Sequence, residues 1–223
     1  MRASDIVPVH VADFSYPDGH PLAGQTGLVM AFVVRHPGGL LLVDTGFIEG
    51  HPWIDDSYRP RGRNIRDAIY AAGIDADEIH AVVNTHLHFD HAGQNSEFPD
   101  VPIVVQDLEW RAAWHRDDYT VREWIDFPGA NYVRINGDTE LAPGLNALAT
   151  PGHTPGHQSV TVETDDGLVL IVGQAAQDAR SFATIEADAS LARLRALNAA
   201  RVHFSHDRAV LQRTPRAATG HAT

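Results

Sequence analysis

The run His86-Leu87-His88-Phe89-Asp90-His91 packs three imidazoles and a carboxylate into one short segment. In extended chain, residues two apart face the same side, so His86, His88 and Asp90 converge on one region. His91 points elsewhere until the chain turns, which Ala92-Gly93 permits. Such an arrangement can offer imidazoles to one divalent cation and Asp90 with His91 to a second. Two distant stretches add donors of the same kind. Thr150–His157 holds two Pro-Gly pairs that stiffen a loop and present His153 at its tip. Phe204-Ser205-His206-Asp207 puts another imidazole directly after a short apolar run. The chain has 14 His and no Cys, so a metal must be held by His, carboxylate or amide oxygen, and disulfides are excluded.

These residues need rigid elements behind them. Leu28–Arg35 and Leu40–Asp44 read as strands joined by a His36–Gly39 hairpin turn. Asn64–Ala72 has helical spacing and stops at Gly73, and Ala81–Val83 is a short buried strand leading straight into Asn84-Thr85-His86. Val101–Val105 predicts a strand, followed by a helix from Asp107, its cap, to about His115. The rhythm then repeats. Leu145–Ala149, Ser159–Glu163 and Leu168–Val172 read as strands, Ser190–Ala199 as an amphipathic helix and Val202–Phe204 as a last strand. Residues 213–223 carry little apolar content and are expected to fray. Strands then helices, twice, predict two sheets packed face to face with helices outside, in one domain of 1–223.

Composition narrows the possible partners. The 223 residues hold 17 basic and 29 acidic side chains, a net charge of −12, which argues against a nucleic-acid or anionic-membrane surface. No charged start followed by an apolar core occurs in Met1–Asp18, and Leu28–Val34 is too short to cross a bilayer. A cytoplasmic protein acting on a small molecule is the expectation. Oligomeric state is not legible.

Together, His86–His91, the His153 loop and His206 after its strand resemble the metallo-β-lactamase-fold hydrolases, and Leu41-Leu42-Val43-Asp44-Thr45-Gly46 is similar to that superfamily's early strand and turn. The resemblance extends from about Leu28 to Asp207. His86–Asn95 and Thr150–Ser159 are similar to the N-acyl-homoserine-lactone lactonase branch. The resemblance implies an α+β fold, an αβ/βα four-layer sandwich with metals at one edge of the two sheets. It implies that His86, His88 and His153 hold a first metal and that Asp90, His91 and His206 hold a second. His203 competes with His206 on spacing alone, and Ser205-His206-Asp207 favours His206. His157 is expected to buttress its loop. Asp44 is expected behind the ligands, accepting a hydrogen bond from one imidazole and fixing its tautomer; the alternative is a turn-forming Asp after a strand.

The family bridges its two metals with an Asp where this chain has Gln174. An amide can lend its oxygen but brings no charge, so repulsion between cations ~3.5–4 Å apart is less well offset. Asp178 compensates only if Ala175–Asp178 coils. The lactonases' Tyr that follows the bridging Asp is also missing, since Gln174–Ala200 contains none, and Tyr58, Tyr70, Tyr119 and Tyr132 lie far off in sequence.

The chemistry implied is hydrolysis of a lactone or similarly activated acyl bond, with zinc the leading metal, one or two ions, and Mn, Fe or Co alternatives. Asp90 is the catalytic candidate, orienting the nucleophile and moving its proton to the leaving group. Phe47, Trp53 and Phe89 are the candidate substrate contacts, Trp53 within a polar loop, His51–Arg63. Trp110, Trp114 and Trp124 are assigned to core or interface. Two other readings compete: a thioesterase of the glyoxalase II kind, and a non-catalytic metal- or ligand-binding member, for which Gln174 is the argument.

Overall fold

Along Thr26–His36 the side chains of Phe32 and Val34 turn to one side and Ala31 and Val33 to the other, and all four are buried. A strand buried on both faces needs a layer against each. In the computed structural model, which describes residues 1–213, that strand lies inside a seven-stranded sheet. The sheet's members are β1 (Ile6–Ser15), β2 (Thr26–His36), β3 (Gly39–Val43), β4 (Arg61–Gly62), β5 (Ile79–Val83), β6 (Pro102–Gln106) and β7 (Asn131–Ile135), in the order β4-β1-β2-β3-β5-β6-β7. Pairing is antiparallel from β4 to β3 and parallel from β3 through β7. The second sheet contains β8 (Thr139–Ala142), β9 (Leu145–Ala149), β10 (Gln158–Val162), β11 (Val169–Ile171), β12 (Arg201–Phe204) and β13 (Asp207–Gln212), in the order β13-β12-β11-β10-β9-β8. Only β11 and β12 pair in parallel there.

Among the described residues there are seven α-helices: α1 (Pro52–Tyr58), α2 (Ile65–Ala71), α3 (Phe89–Ala92), α4 (Asp107–His115), α5 (Arg122–Ile125), α6 (Ala179–Thr184) and α7 (Ala189–Ala196). Between the sheets, Phe32, Val34, Val43 and Val83 meet Leu145, Val160, Val169 and Ile171. Val33, Leu42 and Val82, on the opposite face of the first sheet, pack on Ile65, Ala68 and Ile69 of α2. Leu170, Val202 and Phe204 do the same against Phe182 of α6 and Leu191 and Leu194 of α7. Each such apolar side chain stabilises by ~1.5–3 kcal/mol on burial, so these faces set the αβ/βα layering. No helix among the described residues is long and apolar enough to cross a membrane.

Several elements differ from the sequence reading. β1 was not expected, because a register shift between His10 and Ala12 interrupts its period-two alternation. β7 is an edge strand with three of its five residues exposed, and so lacks an apolar signature. The stretch read as a polar loop, His51–Arg63, contains α1 and β4, and β13 follows β12 directly. Asp107 lies within α4 rather than capping it; the cap is Gln106, which makes no side-chain cap bond. Asp188 caps α7 by accepting from Leu191 N–H at 2.7 Å, and Asn198, at φ +50°, follows the helix's last turn. The expected frayed tail lies outside the described residues, apart from Arg213.

Candidate metal centre

β3 and β5 run parallel in one sheet, as do β11 and β12 in the other, and their carboxyl-end loops meet at one edge. Backbone bonds join the sheets there: Gln158 N–H donates to Thr85 O (2.8 Å) and Met30 N–H to Ser205 O (2.8 Å). After β3 the chain turns through Asp44 in the left-handed region (φ +60°), a conformation Asp tolerates better than most residues. After β5 it runs Asn84-Thr85-His86 and then winds into α3. That single turn, not extended chain, produces the expected sorting. His86 and His88 do share a region, but Asp90 sits on helix rather than extended chain and joins His91 instead.

Two groups of ligand-type atoms result, each with its members within 4.8 Å of one another: His86, His88 and His153, and Asp90, His91 and His206. In the second group, Asp90 Oδ2 lies 3.5 Å from His91 Nε2 and 3.4 Å from His206 Nε2. His206 Nδ1–H donates to Leu28 O (2.8 Å) and His91 Nδ1–H to Asp44 Oδ2 (2.8 Å). Both Nε2 atoms therefore turn toward the same point, 3.2 Å apart. Neutral imidazoles would oppose lone pairs there, which only a proton or a cation between them relieves. Burial works against a charge on His91, but Asp90 and Asp44 outweigh it and lift its pKa to about 8. Burial likewise opposes ionisation of Asp90, and His91 and His206 outweigh that, keeping the carboxyl below its ordinary range.

Burial lowers the pKa of every histidine in the first group: His88 to about 4, His153 to about 3 and His86 well below the ordinary value. Neutral imidazole is the ligating form. His153 Nε2 lies 3.1 Å from His88 Nδ1. His86 Nδ1 is 3.1 Å from Thr85 Oγ1, whose hydroxyl donates to Asp44 Oδ2 (2.8 Å), so the imidazole is the donor in that pair. His86 Nε2 is left buried and without a hydrogen-bond partner among the described residues. An orphaned lone pair beside two more imidazoles fits a divalent cation.

His203, the competitor of His206, lies elsewhere, and His157 buttresses its loop as expected. His203 points between the sheets, edge-on to Phe32 at 5.5 Å. His157 donates from Nδ1 to Thr150 and accepts at Nε2 from Gln174 N–H (3.0 Å), so both its nitrogens are engaged in the loop. Asp178 does not compensate for Gln174: it caps α6, accepting from Ser181 N–H at 2.6 Å.

The sequence reading missed Glu109, which is fully buried at the start of α4. Its Oε1 accepts from Leu87 N–H (2.9 Å) and Tyr119 OH, and its Oε2 from Thr154 Oγ1 (2.6 Å) and Gly156 N–H (3.1 Å). One carboxylate thus ties the His86–His88 segment to the His153 loop. Gly156 is required for that approach, since a Cβ there would lie 2.1 Å from Glu109 N. A Glu in the first turn of the expected helix was the only trace of this in the sequence. Tyr16 and Gln177 were missed as well; Gln177, ahead of α6, accepts from Gln174 and donates to Tyr16, just after β1.

A cavity of about 610 Å³ opens beside His88, lined by His51, Trp53, Tyr58, Phe89, Tyr119 and Val121. Trp53 is 52% exposed and packs edge-on to Phe89 at 5.8 Å. Phe47, expected at the substrate, is instead fully buried behind Phe89 and packs on Phe14. Of the distant tyrosines, Tyr58 lies 4.8 Å from Phe89 and Tyr119 4.8 Å from His88, whereas Tyr70 is on the surface and Tyr132 accepts from Asn95 Nδ2. Trp110 packs partly buried on Trp114 and Tyr132, and Trp124 lies edge-on to His51 near the cavity.

A sequence profile of the metallo-beta-lactamase superfamily matches residues 24–206. The chain belongs to that superfamily, and its two mixed sheets with outer helices are the metallo-β-lactamase fold. An N-acyl homoserine lactonase of Bacillus thuringiensis is 37% identical over 170 residues, 69% of this chain and 66% of that protein. The N-acyl homoserine lactonase AttM of Rhizobium radiobacter is 34% identical over 163 residues, 63% of this chain and 62% of its own length. The match thus spans just under two thirds of these curated relatives. Among solved structures, an N-acyl homoserine lactone hydrolase with the product N-hexanoyl-L-homoserine at its catalytic metal centre is similar at a TM-score of 0.77 and 28% identity. That likeness covers 93% of this chain and 95% of the other.

Proposed function

We propose that the protein is a metal-dependent hydrolase that opens the ring of N-acyl homoserine lactones. The carrying observation is two groups of inward-turned imidazole and carboxylate atoms at the mouth of an aromatic-lined cavity. The similarity to proteins named for that activity supports the substrate class. His86, His88 and His153 would hold one cation, and Asp90, His91 and His206 the other, with zinc the best match to an all-His-and-carboxylate donor set. Bound there, divalent ions supply hydroxide at neutral pH and polarise the ester carbonyl.

The chain's own groups do the rest. Asp90, with Oδ2 turned to the imidazoles, keeps Oδ1 to orient the attacking oxygen, take its proton and return it to the departing alkoxide. Asp44 holds His91 in the Nδ1–H tautomer that leaves Nε2 free to ligate. Trp53, Tyr58 and Phe89 offer apolar faces to an acyl chain and exclude water beside the carbonyl. Zinc-loaded protein is expected to turn over N-hexanoyl-homoserine lactone, releasing one acid equivalent per ring, in preference to a thioester or a β-lactam. His88→Ala and His153→Ala are expected to lose both metal and turnover. Fully loaded protein that leaves the lactone intact overturns the proposal.

A further inference from the structure

We infer that the amide oxygen of Gln174 is a neutral ligand of the cation held by Asp90, His91 and His206, and that Gln177 and Tyr16 keep it in that role. The inference rests on the metal-dependent reading above and concerns how the site does without a bridging carboxylate.

The backbone places the residue. Gly173 adopts φ +66°, and a Cβ there would lie 2.8 Å from His157 Nε2. The next amide, Gln174 N–H, then donates to that same nitrogen at 3.0 Å. This anchors Gln174 at the sheet edge where the two groups of ligand atoms meet.

The side chain is oriented by a chain of donors. Gln174 Nε2–H donates to Gln177 Oε1 (3.1 Å), and Gln177 Nε2–H donates to the Tyr16 hydroxyl oxygen (2.5 Å). An amide carries its donors at one end and its acceptor at the other. With the nitrogen engaged by Gln177, the oxygen of Gln174 faces the opposite way. It is buried and has no hydrogen-bond partner among the described residues. Asp90 Oδ2, His91 Nε2 and His206 Nε2 are thus acceptors at one place, and Gln174 Oε1 is a further buried acceptor at the same sheet edge. A buried acceptor without a donor is rare, and a cation satisfies all four at once.

The relay has a charge consequence. Replacing a carboxylate by an amide removes one negative charge from a site built for two divalent ions, so cation–cation repulsion is less offset and the second ion is held less tightly. A dipole fixed in orientation recovers part of that loss, which a freely rotating amide would not. Tyr16 and Gln177, neither of which touches the cation, act as positioning residues.

The test is a zinc titration of metal-free protein against a chromophoric chelator, with zinc counted by mass spectrometry and folding checked by thermal melting. Wild type is expected to bind two ions of unequal affinity. Gln177→Leu and Gln174→Leu are expected to weaken the weaker site ~10-fold or more, with the tighter site within about twofold. Tyr16→Phe is expected to shift the same site in the same direction, and Gln174→Asp to tighten it. Should Gln174→Leu fail to fold, Gln177→Leu and Tyr16→Phe carry the decision. Both ions bound at wild-type affinity in Gln177→Leu and Tyr16→Phe overturns the inference, as does an anomalous-scattering map with Gln174 Oε1 turned from both peaks. Wild type that binds no zinc removes this inference and the proposed function together. Wild type that binds both ions through the relay but leaves lactones intact removes the proposed function alone.

Discussion

His91 and His206, 115 positions apart in the chain, bring their Nε2 atoms to 3.2 Å while each ring donates its Nδ1–H elsewhere. That geometry is favourable only with positive charge between the rings. Zinc is therefore expected to stabilise the fold itself. At a free concentration 100 times its dissociation constant, one ion adds about 2.7 kcal/mol, raising the melting temperature by roughly 5–10 °C for a chain of this size. A melting temperature unmoved by saturating zinc and by chelator would contradict the site.

Asp44 joins three groups: it accepts from His91 Nδ1–H, Thr85 N–H and Thr85 Oγ1–H. In Asp44→Asn one acceptor becomes an NH₂, which faces His91 Nδ1 and favours the Nε2–H tautomer, blocking the ligating lone pair. Metal affinity at the Asp90–His91–His206 group is expected to fall ~10- to 100-fold. Isothermal titration at fixed pH checks this, and an unchanged affinity excludes the tautomer argument.

Glu109 bridges two segments that each carry ligand-type histidines. Glu109→Gln cannot accept from Leu87, Tyr119, Thr154 and Gly156 all at once, and is expected to cost about 2 kcal/mol or more of stability. The metal group of His86, His88 and His153 should weaken more than the other. A purely structural role would weaken both equally, so zinc affinities of the two groups, read beside urea unfolding, separate the cases.

His203 is buried between the sheets, and desolvation, with a smaller contribution from Arg201, lowers its pKa to about 4. The unfolded chain takes up this proton near pH 6.5, and the folded protein only near 4. Stability from this residue is therefore complete above pH 6.5 and is lost progressively as the pH falls toward 4, by at most ~3 kcal/mol. In the metal-free protein, His203→Leu should flatten that slope by one proton. Identical slopes in the two proteins would refute the assignment.

Phe47 and Trp53 both drew attention in the sequence as substrate contacts, but they have different surroundings. Phe47→Ala empties a buried site and is expected to cost ~3–5 kcal/mol of stability. Trp53→Ala removes an exposed cavity wall, leaving stability within ~0.5 kcal/mol and raising KM for long-chain more than for short-chain lactones. Unfolding midpoints and a chain-length series check the pair; a larger KM effect from Phe47 would reverse the roles.

The parts of the site that lie close along the chain were legible in the sequence. His86, His88, Asp90 and His91 announce themselves by type and spacing, and His153 and His206 by the stiff loop and strand end that carry them. The strands were legible where apolar residues alternate or run together, and so the two-sheet layering followed. The tertiary structure decided what depends on contacts between distant segments. It showed that the expected grouping of Asp90 with His91 and His206 is made by the turn of α3 rather than by extended chain. It turned Phe47 inward and committed Asp178 to a helix cap. It also recruited Glu109, Gln177 and Tyr16, whose partners lie 10 to 161 residues away for Glu109 and Tyr16. Local spacing encodes which side chains a turn or strand can present, but a buried carboxylate or amide takes its role from the donors that sheet packing brings to it.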